Sequence, residues 1–106
     1  MNTLELLQKA INEKCSISFE YEKEGHPIGE RIGNPHAIFI HSNNTNNISI
    51  HIYQTDGVSS SMGNKSEWRT FIVEDVKNVK LLNSSFTQNI GYNPYSSMYN
   101  RVICKL

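Results

Sequence analysis

Only two cysteines occur in the 106 residues, Cys15 and Cys104, at opposite ends and with no metal-ligand spacing. That excludes a disulfide-dense secreted scaffold. The pair is expected to be two small buried hydrophobes in a reducing compartment, with a disulfide joining the termini as the alternative. An excess of one charge is also missing, since ten Lys and Arg face ten Asp and Glu. Residues 1–53 carry four basic and six acidic groups, and residues 54–106 carry six and four. Neither half has the basic excess of a broad nucleic-acid face. No apolar run approaches the roughly 18–20 residues needed to cross a bilayer, so no membrane is expected as a partner. No basic–apolar–cleavage pattern opens the chain, and a cytoplasmic location is expected.

Signatures of catalysis are scarce as well. No Gly-rich phosphate cradle occurs. Ser59-Ser60-Ser61 is a loop run without a nucleophile elbow or a partnered base. His26, His36, His41 and His51 lack the spacing and the Cys or carboxylate neighbours of a zinc site. The expectation is a non-enzymatic protein with no catalytic residues, metal or cofactor.

What is present is a pattern of short elements, and 106 residues suit a single domain over 1–106. Leu4, Leu7 and Ile11, widened by Leu6 and Ala10, predict an N-terminal helix within 1–14. Asn2 and Glu5 have the spacing of a capping box. Cys15 to Glu22 alternates, with Ile17, Phe19 and Tyr21 on one face and Ser16, Ser18 and Glu20 on a wet one. Gly29 to Ile32 reads as a brief strand, Gly33-Asn34-Pro35 as a bend, and His36 to Ser42 as another strand. Asn43 to Asn47 reads as a hairpin loop. Ile48 to Gln54 returns with Ile48, Ile50 and Ile52 inward and Ser49, His51 and Tyr53 opposite. Asp56 to Lys65 is a Gly- and Ser-rich stretch expected to be mobile. Trp68 to Val73 is a strand, Val73 to Val79 a turn of helix, and Leu81 and Leu82 pack back, completing a β core over 15–83. The remainder, 84–106, is a loop and a closing strand from Tyr99 to Leu106. One helix and five to six short strands imply a mainly β fold, a small, strongly bent sheet or barrel whose closure hides its edges.

The run from Glu67 to Val76 carries the most information. It places Arg69 among apolar neighbours and leads into the acidic turn Glu74-Asp75. A cation on a half-buried strand needs an anion. Two readings stand: a structural pair with Glu20, Glu22 or Glu30, and a ligand's phosphate or carboxylate gripped by a two-pronged guanidinium. Arg31, on a short edge-like strand, reads as solvated or as a second contact. His51 and Tyr53 share a face with Ser49, and read either as an exposed polar face or as the wall of a polar pocket beside Arg69. Trp68 falls on the face opposite Arg69 as core or interface filler.

The order of these pieces resembles the WYL domain family of bacteria and their phages. The matching positions are Ala10-Ile11, Phe19-Glu20-Tyr21, Arg31 with Pro35, the strand Ile48 to Tyr53, and Arg69 with Phe71 and Val76. They cover about residues 4–86. The chain departs from the family in lacking its Trp-Tyr-Leu tripeptide, for which Ile48-Ser49-Ile50 stands at the aligned place. The helix-turn-helix domain usual in the family's regulators is also expected to be absent. The resemblance implies an Sm-like or SH3-like barrel that senses a ligand, often a nucleotide or nucleic acid. It implies ligand contacts at Arg69 and at Arg31, His51 and Tyr53.

Tyr92, Tyr95, Met98 and Tyr99 form an aromatic tail. It reads as packing across the barrel end, or as an interface, since aromatic and Met residues are enriched in interfaces. The interface reading implies a homodimer. It also carries the alternative function, a phage or mobile-element accessory module that binds another protein. Single-stranded nucleic acid is a further candidate partner, with bases stacked on the tail's rings and a steep salt dependence.

Overall fold

The structure, a computed structural model, describes residues 1–58 and 67–106. The Ser59-Ser60-Ser61 run and most of the Asp56–Lys65 stretch therefore lie outside the described residues. Helix α1 spans Thr3–Glu13 and is followed by strands β1 (Cys15–Tyr21), β2 (Glu30–His41), β3 (Asn44–Gly57) and β4 (Glu67–Ile72). A short 3-10 helix, Val73–Asp75, leads to β5 (Val76–Ser85), and β6 (Tyr99–Lys105) ends the fold. The protein is mainly β with one N-terminal helix, as its patterning predicts.

Local chemistry explains the helix. The Asn2 side chain accepts from the Glu5 amide at 2.8 Å, and the Glu5 carboxylate accepts from the Asn2 amide at 3.1 Å. That is the expected capping box. At the other end Lys14 turns left-handed, with φ 53°, and its amide closes back on Ile11. Leu7, Ala10 and Ile11 are buried.

The antiparallel sheet runs β4-β3-β2-β1-β5. Its long central strand is β2. Along one edge β2 pairs with β3, and along the other its first half pairs with β1 and its second half with β6. The sheet bends until β4 faces β1. Phe71 of β4 meets Phe19 and Tyr21 of β1 edge to face, with centroids 5.2 and 4.8 Å apart. The Tyr21 hydroxyl accepts from the Ile72 amide at 3.1 Å. Strands β4 and β5 do not pair, so the sheet is strongly bent and open. The inner core holds Leu7, Ile17, Phe19, Ile38, Ile50, Ile52 and Phe71.

Three expectations change. The strands expected at 29–32 and 36–42 are one strand, and the bend expected at Gly33-Asn34-Pro35 lies inside it. Pro35 has no N–H to give the ladder, and the pairing absorbs this through a register shift between Pro35 and Ala37. His36 is the extra residue of that bulge. The expected helical turn over 73–79 stops at Asp75, and the chain continues as β5. The left-handed asparagine is Asn78, φ 53°, at the bulge of β5 where its amide bonds Glu20. Residues 43–47 do not take that conformation; the hairpin turns tightly and β3 begins at Asn44.

The expected wet face of the sheet is covered. Residues 86–99 fold back over it and form a second, aromatic layer. Ser16 and Ser49, expected in solvent, are 8% and 2% exposed. The Ser16 hydroxyl donates to Asn34 at 2.7 Å, and the Asn34 amide reaches Asn89 at 2.9 Å.

Candidate functional site

Register decides which way Arg31 points. It is paired across the strands with Phe19, whose ring is in the core, so both side chains share the inner face. Arg31 is 1% exposed, the largest fully buried side chain among the described residues. Its expected position on a solvated edge strand is therefore corrected: β2 is central, and β1 and β3 flank Arg31 on both sides. The same logic places Arg69, opposite the buried Ile52, on that inner face.

The two arginines meet at one end of the bent sheet. Both line a pocket of about 260 Å³ with His26, Glu67, Thr70 and Phe71. The Arg31 guanidinium lies 5.3 Å from the Phe71 ring and 6.0 Å from that of Tyr21. Its Nη1 donates to Gln54 Oε1 at 3.2 Å. Nε and Nη2 of Arg31 are buried without a hydrogen-bond partner among the described residues. Arg31 also forms no ion pair with a described residue, whereas Arg69 bonds Glu67. Burial, and then the nearby charge of Arg69, pull the Arg31 pKa below its ordinary value. The carboxylate on Arg69 is thus Glu67 of its own strand, and not the expected Glu20, Glu22 or Glu30. Glu20 instead bonds Asn78, and Glu22 and Glu30 are exposed.

The sequence pattern alone does not mark Gln54 as a site residue. Its Nε2 donates to the carbonyls of Val58, at 2.7 Å, and Asp56, at 3.2 Å, which aims Oε1 at Arg31. A polar residue closing the inward stripe Ile50-Ile52-Gln54 is the signal that could have found it.

His51 and Tyr53 lie elsewhere. They pair with Thr70 and Trp68, on the face opposite Ile52 and Arg69. They do not line a pocket with Arg69, nor do they form an exposed polar face. His51 Nδ1 is 2.6 Å from the Tyr99 hydroxyl, and its ring lies 4.7 Å from Trp68. Tyr53 packs edge-on to Trp68 at 5.2 Å. His36 joins this layer, 4.5 Å from Trp68 and 5.0 Å from Tyr92. Its Nδ1 faces the Asn34 carbonyl at 2.8 Å, and its Nε2 accepts the Asn89 amide at 3.1 Å. That pattern needs a neutral ring protonated on Nδ1. Burial lowers the pKa of both histidines, to about 4 for His51, where His36 and His41 add to the effect.

The aromatic tail mostly supplies this layer. Tyr92 is 8% exposed and stacks on Trp68 at 6.1 Å, Tyr99 packs on Phe39 at 4.6 Å, and Met98 is half-buried. Tyr95 alone of the four is exposed, at 88%, with the Lys105 ammonium 5.2 Å from its ring. Both cysteines are free thiols and no disulfide joins them; each is only half-buried, where full burial is expected from the sequence, and Cys15 donates to the Leu82 carbonyl. Among the described residues no group of three His, Cys, Asp or Glu could hold a metal ion, and no helix is long and apolar enough to cross a membrane.

In comparisons with known proteins, no family model and no curated protein matches the chain.

Proposed function

We propose that this chain is a non-enzymatic binding domain that takes an anionic ligand at Arg31 and Arg69. One observation carries the reading: beside a second arginine, a fully buried guanidinium has no partner for Nε and Nη2 among the described residues. A buried charge without a counter-charge is costly, so such a group points to an anion that arrives from outside. Nε and Nη2 lie on one edge of the guanidinium plane and form a two-pronged donor for an oxyanion. The ligand class we propose is a nucleotide or nucleic acid, as in WYL domains. Arg69 and Arg31 are the contacts; His51 and Tyr53 support Trp68 from the other face. A thermal-shift screen of nucleotides and short oligonucleotides, repeated on Arg69→Ala, tests this. A stabilisation lost in a folded variant is expected, because a ligand that binds only the native state raises Tm by mass action. No shift with any compound would defeat it.

The second reading is a protein-binding module, homodimeric or an accessory of a phage or mobile element. Its support is narrower than the tail's composition suggests. It rests on Ile90 and Tyr95, 96% and 88% exposed on the same folded-back segment. Loss of a partner in Tyr95→Ala with ligand binding intact would favour it.

A further inference from the structure

Among the described residues, the charged groups lining the pocket are the guanidiniums of Arg31 and Arg69 and the carboxylate of Glu67, with the His26 imidazole beside them. Residues 59–66, which link β3 to β4, contain no Asp or Glu. Glu67 and Arg69 are two apart on one strand and so share a face. The Glu67 side chain is 30% exposed and that of Arg69 12%. Glu67 is therefore the outer member of the pair, at the pocket rim, while Arg31 is the innermost group.

We propose that this site takes a phosphate monoester, and that Glu67 is its built-in stand-in, occupying Arg69 until the ligand's phosphate displaces it. The inference rests on the anion-site reading. With Glu67 swung outward, two guanidiniums face one pocket, and a phosphate monoester dianion matches both charges. It also supplies three acceptor oxygens, enough for the Nε/Nη2 fork of Arg31 and for Arg69 together. A carboxylate would match only one of the two charges.

An extended polyanion fits less well. Beyond this pocket the surface turns mixed, with Glu22 and Glu24 beside Lys23, and Lys23 already faces Asp75 at 3.7 Å. A strand of phosphodiesters needs a continuing basic track, and the chain's charges sum to zero. A volume of about 260 Å³ suits a phosphate with little more of its ligand.

Isothermal titration calorimetry on the full chain tests this with adenosine, adenosine monophosphate, succinate and a short oligothymidylate bearing hydroxyls at both ends. Wild type, Glu67→Gln and Arg69→Ala are compared, with circular dichroism as the fold control. Adenosine monophosphate is expected to bind one to one, and adenosine not at all. Glu67→Gln should bind the monophosphate roughly three- to fivefold tighter, the range of an exposed ion pair removed from competition. Equal or weaker binding by Glu67→Gln would overturn the stand-in role. Succinate binding as tightly as the monophosphate would overturn the phosphate assignment. Oligothymidylate binding that Arg69→Ala abolishes, with the monophosphate inert, would overturn the inference and leave the anion site standing. Silence from every probe in wild type and Glu67→Gln would overturn both.

Discussion

The amide of Gln54 holds Arg31 in place: Oε1 accepts from Nη1 at 3.2 Å, and both side chains are buried. A neutral group thus orients a buried cation whose charge no described carboxylate compensates. Structural arginines in protein cores are usually held by carboxylates, because the attraction offsets desolvation. Gln54 supplies direction without that attraction, which suits a cation kept for a ligand.

Gln54→Leu should therefore cost about 2–4 kcal/mol, since it strands a buried guanidinium and two carbonyls. Adding Arg31→Met should recover part of the loss by removing the stranded charge. Urea denaturation of the two variants measures this; a single-mutant cost below about 1 kcal/mol would show that the amide is not holding the arginine.

Gly57 has φ +95°, and a Cβ there would stand 2.2 Å from the Glu30 carbonyl and 2.6 Å from Arg31 Cα. The glycine lets β3 approach the backbone that carries Arg31. Gly57→Ala should destabilise by about 2–3 kcal/mol. It should also weaken ligand binding, by moving Arg31. Thermal melts with and without ligand read both effects.

Acid should release the aromatic layer. The His51 pKa is lowered from 6.5 to about 4, and that of His36 is also lowered. A depressed histidine pKa means that the unfolded chain binds the proton first. The stability the His51 ring contributes is complete above about pH 6.5 and is lost as pH falls through about 4, and His36 acts in the same direction. The His51 part is on the order of 2–3 kcal/mol. Trp68 is the single tryptophan and touches both rings, so its fluorescence should report the transition. His51→Gln should flatten the dependence of Tm on pH between 6.5 and 4; an unchanged slope would exclude His51 as its source.

The Tyr92 hydroxyl is buried with no hydrogen-bond partner among the described residues, while its ring packs on Trp68 and His36. Tyr92→Phe keeps the packing and removes the stranded hydroxyl, so it should stabilise the protein by about 1 kcal/mol. A loss of stability in denaturant melts would instead mean that the hydroxyl has a partner in solution.

Much of the fold is local and was legible as such. Side chains at Asn2 and Glu5 cap the helix within one turn. Ile17, Phe19 and Tyr21, and again Ile50 and Ile52, alternate because every second side chain of a strand shares a face. These periods decided that the protein is mainly β with an N-terminal helix and a bent sheet, and that Arg69 stands on a strand. Three things needed the tertiary structure. Strand β5 has a weak pattern, since its pairing with β1 and not its own periodicity makes it a strand. The outer face of the sheet carries Ser16, Ser49 and His51 as a solvated face would, and only residues 86–99 folding across it turn that face into a second core. Arg31 looks like an edge residue until the bulge at His36 joins two short segments into one central strand. Alternation assigns side chains to one face or the other, but says nothing of what covers a face. Register and long-range packing decide that, and they brought Arg31 to Arg69 while placing His51 and Tyr53 on the other side.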